Sequence, residues 1–263
     1  MIFVWAFDVP DSKWVSGLSH QRMRNAIQLL RRKFSRESTR GSAKKRWVEI
    51  DHHIAHLLVR SDTDLAAILR ASEVAGLPDW SVPPNRAKLL MLLARAIDAR
   101  RVLEIGTLGG YSTVWLARAL APGGRLISLE VEPTHVEVAR ANIARAGLSK
   151  VVDVRLGRAT DLLPTLTADA PFDLVFIDAD AGNLAEYFHW AADLGRKGSL
   201  IFVDNVIRGG ALMDTESSSP TVQGLRRFFD HVAGEARVCT TVIQTVGAGG
   251  HDGFALGLVT GDE

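Results

Sequence analysis

Val102-Leu-Glu-Ile-Gly-Thr-Leu-Gly-Gly-Tyr-Ser112 is the stretch on which the reading of this 263-residue chain turns. A short apolar run, 102–105, ends in a glycine-rich turn, and helical spacing follows through Thr113–Leu120. In a βα unit such glycines let a ligand approach the backbone, and the helix start offers it unpaired N–H groups. A dinucleotide fingerprint needs glycine at 106, 108 and 111, but Leu108 and Tyr111 stand at two of these positions, so the nicotinamide reading fails on spacing.

The same alternation continues outward. Apolar runs at Leu126–Glu130, Val151–Leu156, Leu174–Ile177 and Leu200–Val203 are interleaved with helical spacing at Thr134–Ala146 and Leu184–Leu194. Successive βα units predict a parallel sheet covered on both faces. After a helix over Val222–Ala233, the strands Val238–Gln244 and Phe254–Val259 are joined by Thr245–Gly253 without a helix, which predicts one reversed strand. Upstream, Ile50, Ile54, Leu57 and Leu58 fall on one helical face and Leu65, Ile68 and Leu69 on another. Ser81–Asn85 breaks the chain, and a helix over Ala87–Ile97 is expected to bury Leu89, Leu90, Leu92 and Leu93. The division expected is a basic, flexible extension over 1–46, helices over 47–98 and an α/β core over 99–263.

Charge sharpens that division. The net charge is +1, but residues 1–46 hold 11 Lys and Arg against 3 Asp and Glu, while 47–263 hold 20 against 27. Arg31-Arg32-Lys33 and Lys44-Lys45-Arg46 therefore read as a solvated arm, with a nucleic-acid or anionic-surface contact as the alternative. No apolar run approaches the roughly 18 residues of a membrane span, and Met1–Phe7 lacks the basic flank of a secretory signal. The single cysteine, Cys239, excludes an intramolecular disulfide and is expected to fill space in a strand; a cytoplasmic, membrane-free protein is the expectation.

Two acids stand beside the glycine turn. Glu130 ends the next strand, placed to accept the hydroxyls of a ribose. Glu104, inside an apolar strand, has two readings: a salt bridge to Arg100 or Arg101, or a carboxylate facing a cationic ligand such as a sulfonium nucleoside.

These residues, with Phe172-Asp-Leu-Val-Phe-Ile-Asp-Ala-Asp180, Val203-Asp-Asn-Val-Ile-Arg-Gly-Gly210 and Asp252-Gly-Phe-Ala-Leu256, carry a resemblance. From Trp47 to Val259 the chain resembles the metal-dependent catechol and caffeoyl-coenzyme A type O-methyltransferases, in particular their small bacterial members. The resemblance implies a Rossmann-like α/β fold, a seven-stranded, mostly parallel sheet with its last strand antiparallel, binding S-adenosyl-L-methionine. It implies a cofactor site over Glu104, Gly106, Ser112, Glu130 and Ala159, with Leu108, Gly110 and Asp178 counted beside them. It also implies a small phenolic acceptor and a homodimer. Residues 1–46 fall outside it.

Asp178 ends the fourth strand, and Asp204 and Asn205 end the fifth, so their side chains are expected to meet in one crevice. Two carboxylates and an amide suit Mg²⁺, with Mn²⁺ or Ca²⁺ also compatible; the bland reading makes them caps of the following segments. Asp180 is expected to support these ligands or touch the cofactor. The resemblance places a lysine after Asp180, where this chain has Ala181. Arg208, His251 and Asp180 are the candidate substitutes, a catalytically weak homologue being the alternative.

Overall fold

The parallel strands are near-continuous apolar runs because helices cover both of their faces. In the computed structural model, which describes residues 41, 43–59 and 62–261, successive side chains of the four inner parallel strands go to opposite cores. Leu103 and Ile105, Ile127 and Leu129, Val175 and Ile177, and Ile201 and Val203 enter one core. Val102, Leu126, Leu174, Phe176 and Phe202 enter the other. The basic segment 1–46 lies almost wholly outside the described residues.

Five strands run parallel: β1 (Arg101–Ile105), β2 (Arg125–Glu130), β3 (Val152–Leu156), β4 (Leu174–Ile177) and β5 (Leu200–Val203). With β6 (Val238–Gly247) and β7 (Gly250–Val259) they form one sheet in the order β3-β2-β1-β4-β5-β7-β6. β7 is antiparallel to both β5 and β6, the one reversed strand expected. The order turns back between β1 and β4, the point at which ligands bind in open α/β sheets.

Residues 43–58 form helix α1, followed by α2 (Thr63–Val74) and α3 (Pro84–Ala96). Asp62 caps α2 by accepting from the backbone N–H of Asp64 and Leu65. α4 (Tyr111–Ala117), α5 (Pro133–Arg145), α6 (Ala159–Leu162), α7 (Leu184–Asp193) and α8 (Pro220–Gly234) complete the layers. None of the described helices is long and apolar enough to cross a membrane.

Three local expectations are corrected. The nine-residue loop expected at Thr245–Gly253 is strand: the ladder runs on to the Gly247–Gly250 pair, leaving a two-residue turn of Ala248 and Gly249. Glycines and polar residues there hid the period-2 pattern from a hydrophobicity reading. Cys239 lies in β6 at the sheet edge and is exposed, so it fills no interior space. Leu92, expected to be buried with its neighbours, points outward while Leu90 is fully buried.

At the lower end of the sheet, buried Asp173 joins two strands and a loop. Its Oδ2 accepts from the backbone N–H of Arg100 and Arg101, and its Oδ1 accepts from the Arg196 guanidinium. Burial pushes its carboxyl up, but these donors outweigh burial and hold it below the usual range. Asp173→Ala leaves two backbone N–H groups and the Arg196 guanidinium without this partner and should cost about 1–3 kcal/mol of stability, read from urea unfolding.

Candidate active site

A cavity of about 1100 Å³ opens at the carboxyl ends of β1, β2, β4 and β5. Sites for one small molecule span roughly 300–1000 Å³, so there is room for two ligands side by side.

At one end lies the glycine turn. Gly106 has φ +96°, and a Cβ on it would lie 2.1 Å from the Asp178 carbonyl oxygen. Only glycine lets the end of β1 pass the end of β4 this closely. Glu130, on the cavity wall, clamps the turn from the next strand. Its Oε2 accepts from the N–H of Thr107 (3.1 Å) and Leu108 (2.9 Å), and its Oε1 from Val131 and Glu132. His135 Nδ1 stands 3.6 Å from the same carboxylate. Leu108, Ser112 and Ala159 also line the cavity.

Two residues expected at the cofactor do not line the cavity. Glu104 is fully buried behind Ser112, and its carboxylate accepts hydrogen bonds from the hydroxyls of Ser112 (2.6 Å), Thr113 (2.5 Å) and Ser128 (2.6 Å). The salt-bridge reading of Glu104 does not hold: three hydroxyls, rather than Arg100 or Arg101, answer its charge. Burial outweighs them and pushes its carboxyl up to about 7. Gly110, at φ +85°, turns toward α5, where a Cβ would meet Ala139 at 3.5 Å.

Next to the glycine turn, the strand ends place Asp178 beside Asp204. β4 and β5 pair Ile177 with Val203, so the two aspartates leave the sheet in register. No hydrogen-bond donor among the described residues reaches the carboxylate of Asp178. Burial, and then the Asp204 charge, push Asp178 up to about 8; burial likewise raises Asp204. Asp204 Oδ1 accepts from its neighbour's N–H, Asn205 (2.7 Å), and pairs with the Arg86 guanidinium. Asn205, at φ +57°, donates its Nδ2 to Asp252 (3.2 Å), which leaves its amide oxygen without a donor among the described residues. Under-compensated carboxylates joined by an amide oxygen are hard donors with a deficit of positive charge, and they fit a divalent cation.

The substitute groups fare differently. Asp180 is exposed at the cavity, but its Oδ1 accepts from Asn183 and its Oδ2 from the Tyr187 hydroxyl (2.6 Å), so it caps the turn into α7. Arg208 lines the cavity at φ +46°, and its positive charge pulls against the upward push on Asp178. His251 lies outside the cavity lining: side chains alternate along β7, and while Asp252 turns to the cavity, His251 bonds Gln244 across the hairpin (2.9 Å). Ala181 is buried.

Sequence reasoning missed Arg86 and the part played by Asp252. Arg86 meets a partner 118 residues away, which no local pattern reveals. Asp252 stood in a motif quoted above, yet its function emerges only from contacts. Its Oδ1 accepts from the N–H of Ile207, Arg208 and Gly253 while Oδ2 orients Asn205. Among the described residues, a second group of metal-capable side chains, His189, His231 and Glu235, lies outside this cavity. The Arg237 side chain and N–H hold Glu235 and keep its carboxyl at about 2, which marks an ion pair rather than a waiting ligand.

A family model described as O-methyltransferase matches residues 60–256. The chain is 51% identical over 211 residues to the catechol O-methyltransferase of Mycobacterium tuberculosis, covering 80% of this chain and 95% of that protein. It is 48% identical over 212 residues to the catechol O-methyltransferase of Niastella koreensis, covering 80% and 96%. Among solved structures, the O-methyltransferase TomG of Streptomyces achromogenes, in complex with SAM and involved in tomaymycin synthesis, superposes with a TM-score of 0.80 at 48% identity. That match covers 83% of this chain and 99% of that one.

Two outcomes test this geometry. The protonated form of Glu104 is favoured in the folded chain, so its contribution to stability is present below about pH 4.5 and lost as pH rises to about 7. Glu104→Gln should flatten the fall in unfolding free energy across that window, a slope of at most about 1.4 kcal/mol per pH unit, in urea titrations. Gly106→Ala should abolish binding of S-adenosylhomocysteine by calorimetry, because the added methyl overlaps the Asp178 backbone.

Proposed function

The chain belongs to the O-methyltransferase family and is an S-adenosylmethionine-dependent O-methyltransferase, and from that premise we propose that it methylates one hydroxyl of a small aromatic vicinal diol, assisted by a divalent cation. The observation that carries this reading is the group of open oxygens on Asp178, Asp204 and Asn205, lining the same cavity as the glycine turn. The names of the catechol O-methyltransferases at about half identity support the acceptor class.

S-adenosylmethionine, when bound, supplies a methyl carbon on a sulfonium centre. The glycine turn and Glu130 form the wall for its nucleoside, and the acidic lining from Glu130 to Asp204 favours its positive charge. A divalent cation, held by Asp178, Asp204 and Asn205, supplies charge that lowers the pKa of an acceptor hydroxyl from the roughly 10 of a free phenol. Mg²⁺ suits these oxygen donors, and Mn²⁺ or Ca²⁺ share the preference.

The remaining work falls to orientation. In-line methyl transfer depends on aligning acceptor oxygen, methyl carbon and sulfur, and fixed walls provide that alignment. Asp252 holds Asn205 and the Ile207–Arg208 backbone in place, so one carboxylate sets both an oxygen donor and the position of a cationic side chain. Val82, Leu89 and Phe254 give the cavity apolar surface that keeps water from the reacting atoms. Asp180 is engaged by Tyr187 and Asn183, His251 faces away and Ala181 has no base, so acceptor activation in this reading rests on the cation site.

Methyl transfer from labelled S-adenosylmethionine to a panel of vicinal diphenols should be abolished by EDTA and restored by Mg²⁺. Asp204→Asn should lower kcat/KM by at least about 100-fold, the order of loss expected on removing charge stabilisation, while S-adenosylhomocysteine affinity is retained. Full turnover in EDTA overturns the cation-assisted reading.

A further inference from the structure

Arg86 stands where helix electrostatics disfavours it. It is the third residue of α3, whose first turn has no acidic residue, and a cation there opposes the positive end of the helix dipole. Its side chain is nonetheless only 13% exposed, and it reaches Asp204, 2% exposed, at the far side of the cavity. One guanidinium nitrogen, Nη1, pairs with Asp204 Oδ1, while Nη2 donates to Thr245 Oγ1 of β6 (2.8 Å). Two desolvated aspartates at adjacent strand ends need positive charge, and Arg86 supplies it by direct contact with Asp204 and through space to Asp178.

We infer that Arg86 is the resident counter-cation of the Asp178–Asp204 pair, stabilising the protein without a divalent ion and opposing the binding of one. The inference rests on the metal-assisted reading and adds to it a competitor built into the chain. The affinity of the acidic site for a divalent ion is then set by the balance between the donor oxygens and this arginine. The balance is reciprocal: whatever Arg86 contributes to the metal-free protein, the incoming ion must overcome. Because the same guanidinium ties α3 to β6, a divalent ion that weakens its hold on Asp204 also loosens the bridge between two walls of the cavity.

Mn²⁺ binding, read by electron paramagnetic resonance on the full chain, and thermal unfolding in EDTA test this together. Arg86→Gln should bind Mn²⁺ on the order of tenfold more tightly than the unaltered protein. It should also unfold about 2–4 °C lower in EDTA, with a larger rise on adding Mn²⁺. Arg86→Lys, which keeps the charge and loses the fork to Thr245, should stay near the unaltered protein in Mn²⁺ affinity. Folding of Arg86→Gln only when Mn²⁺ is present also supports the inference. Equal or weaker Mn²⁺ binding by Arg86→Gln, with the unaltered protein binding normally, overturns it and leaves the metal reading standing. Mn²⁺ binding by the unaltered protein no better than by Asp204→Asn overturns both.

Discussion

Two carboxylates held side by side at the ends of neighbouring strands are the constraint around which the upper half of this molecule is arranged. The pairing of Ile177 with Val203 brings Asp178 and Asp204 up together, and the Asp204 N–H bonded to the Ile177 carbonyl fixes the approach. Like charges so placed resist burial, and the protein answers with Arg86 from α3, Arg208 from the following turn and the backbone N–H of Asn205. What no donor among the described residues reaches is the carboxylate of Asp178, and that shortfall is the ground for the proposed cation site.

The opposite end of the sheet shows the same problem solved completely. Asp173, also a carboxylate between strands, meets two backbone donors and an arginine, and its carboxyl is held low rather than pushed up. One aspartate fastens the sheet; the other is left short of partners at the end where ligands bind. The contrast comes from the number of donors within reach, since burial raises both.

Much of this was legible in the chain. The alternation of apolar runs and helical spacing located five parallel strands, and the strand ends identified Asp178, Asp204 and Asn205 as neighbours. The reversed strand followed from the lack of a helix between the last two runs. Less local features were not legible. Side-chain direction along a strand decided that Asp252 and not His251 faces the cavity, and a strand mistaken for a loop carries no such direction. Glu104 looked like an acid in need of a cation because its partners, Ser112, Thr113 and Ser128, are small hydroxyls that composition treats as neutral filler. Arg86 was invisible because a lone arginine in an amphipathic helix ordinarily faces water.

The hydroxyl cage around Glu104 has a consequence of its own. Hydroxyl hydrogens rotate freely, so the three groups that donate to a carboxylate can rearrange around a carboxylic acid without moving a heavy atom. Thr107 extends the chain of hydroxyls through Ser128 to the glycine turn. Glu104 can therefore be acid or carboxylate inside the same cage of heavy atoms, while the shape of the glycine turn is set by a different carboxylate, that of Glu130.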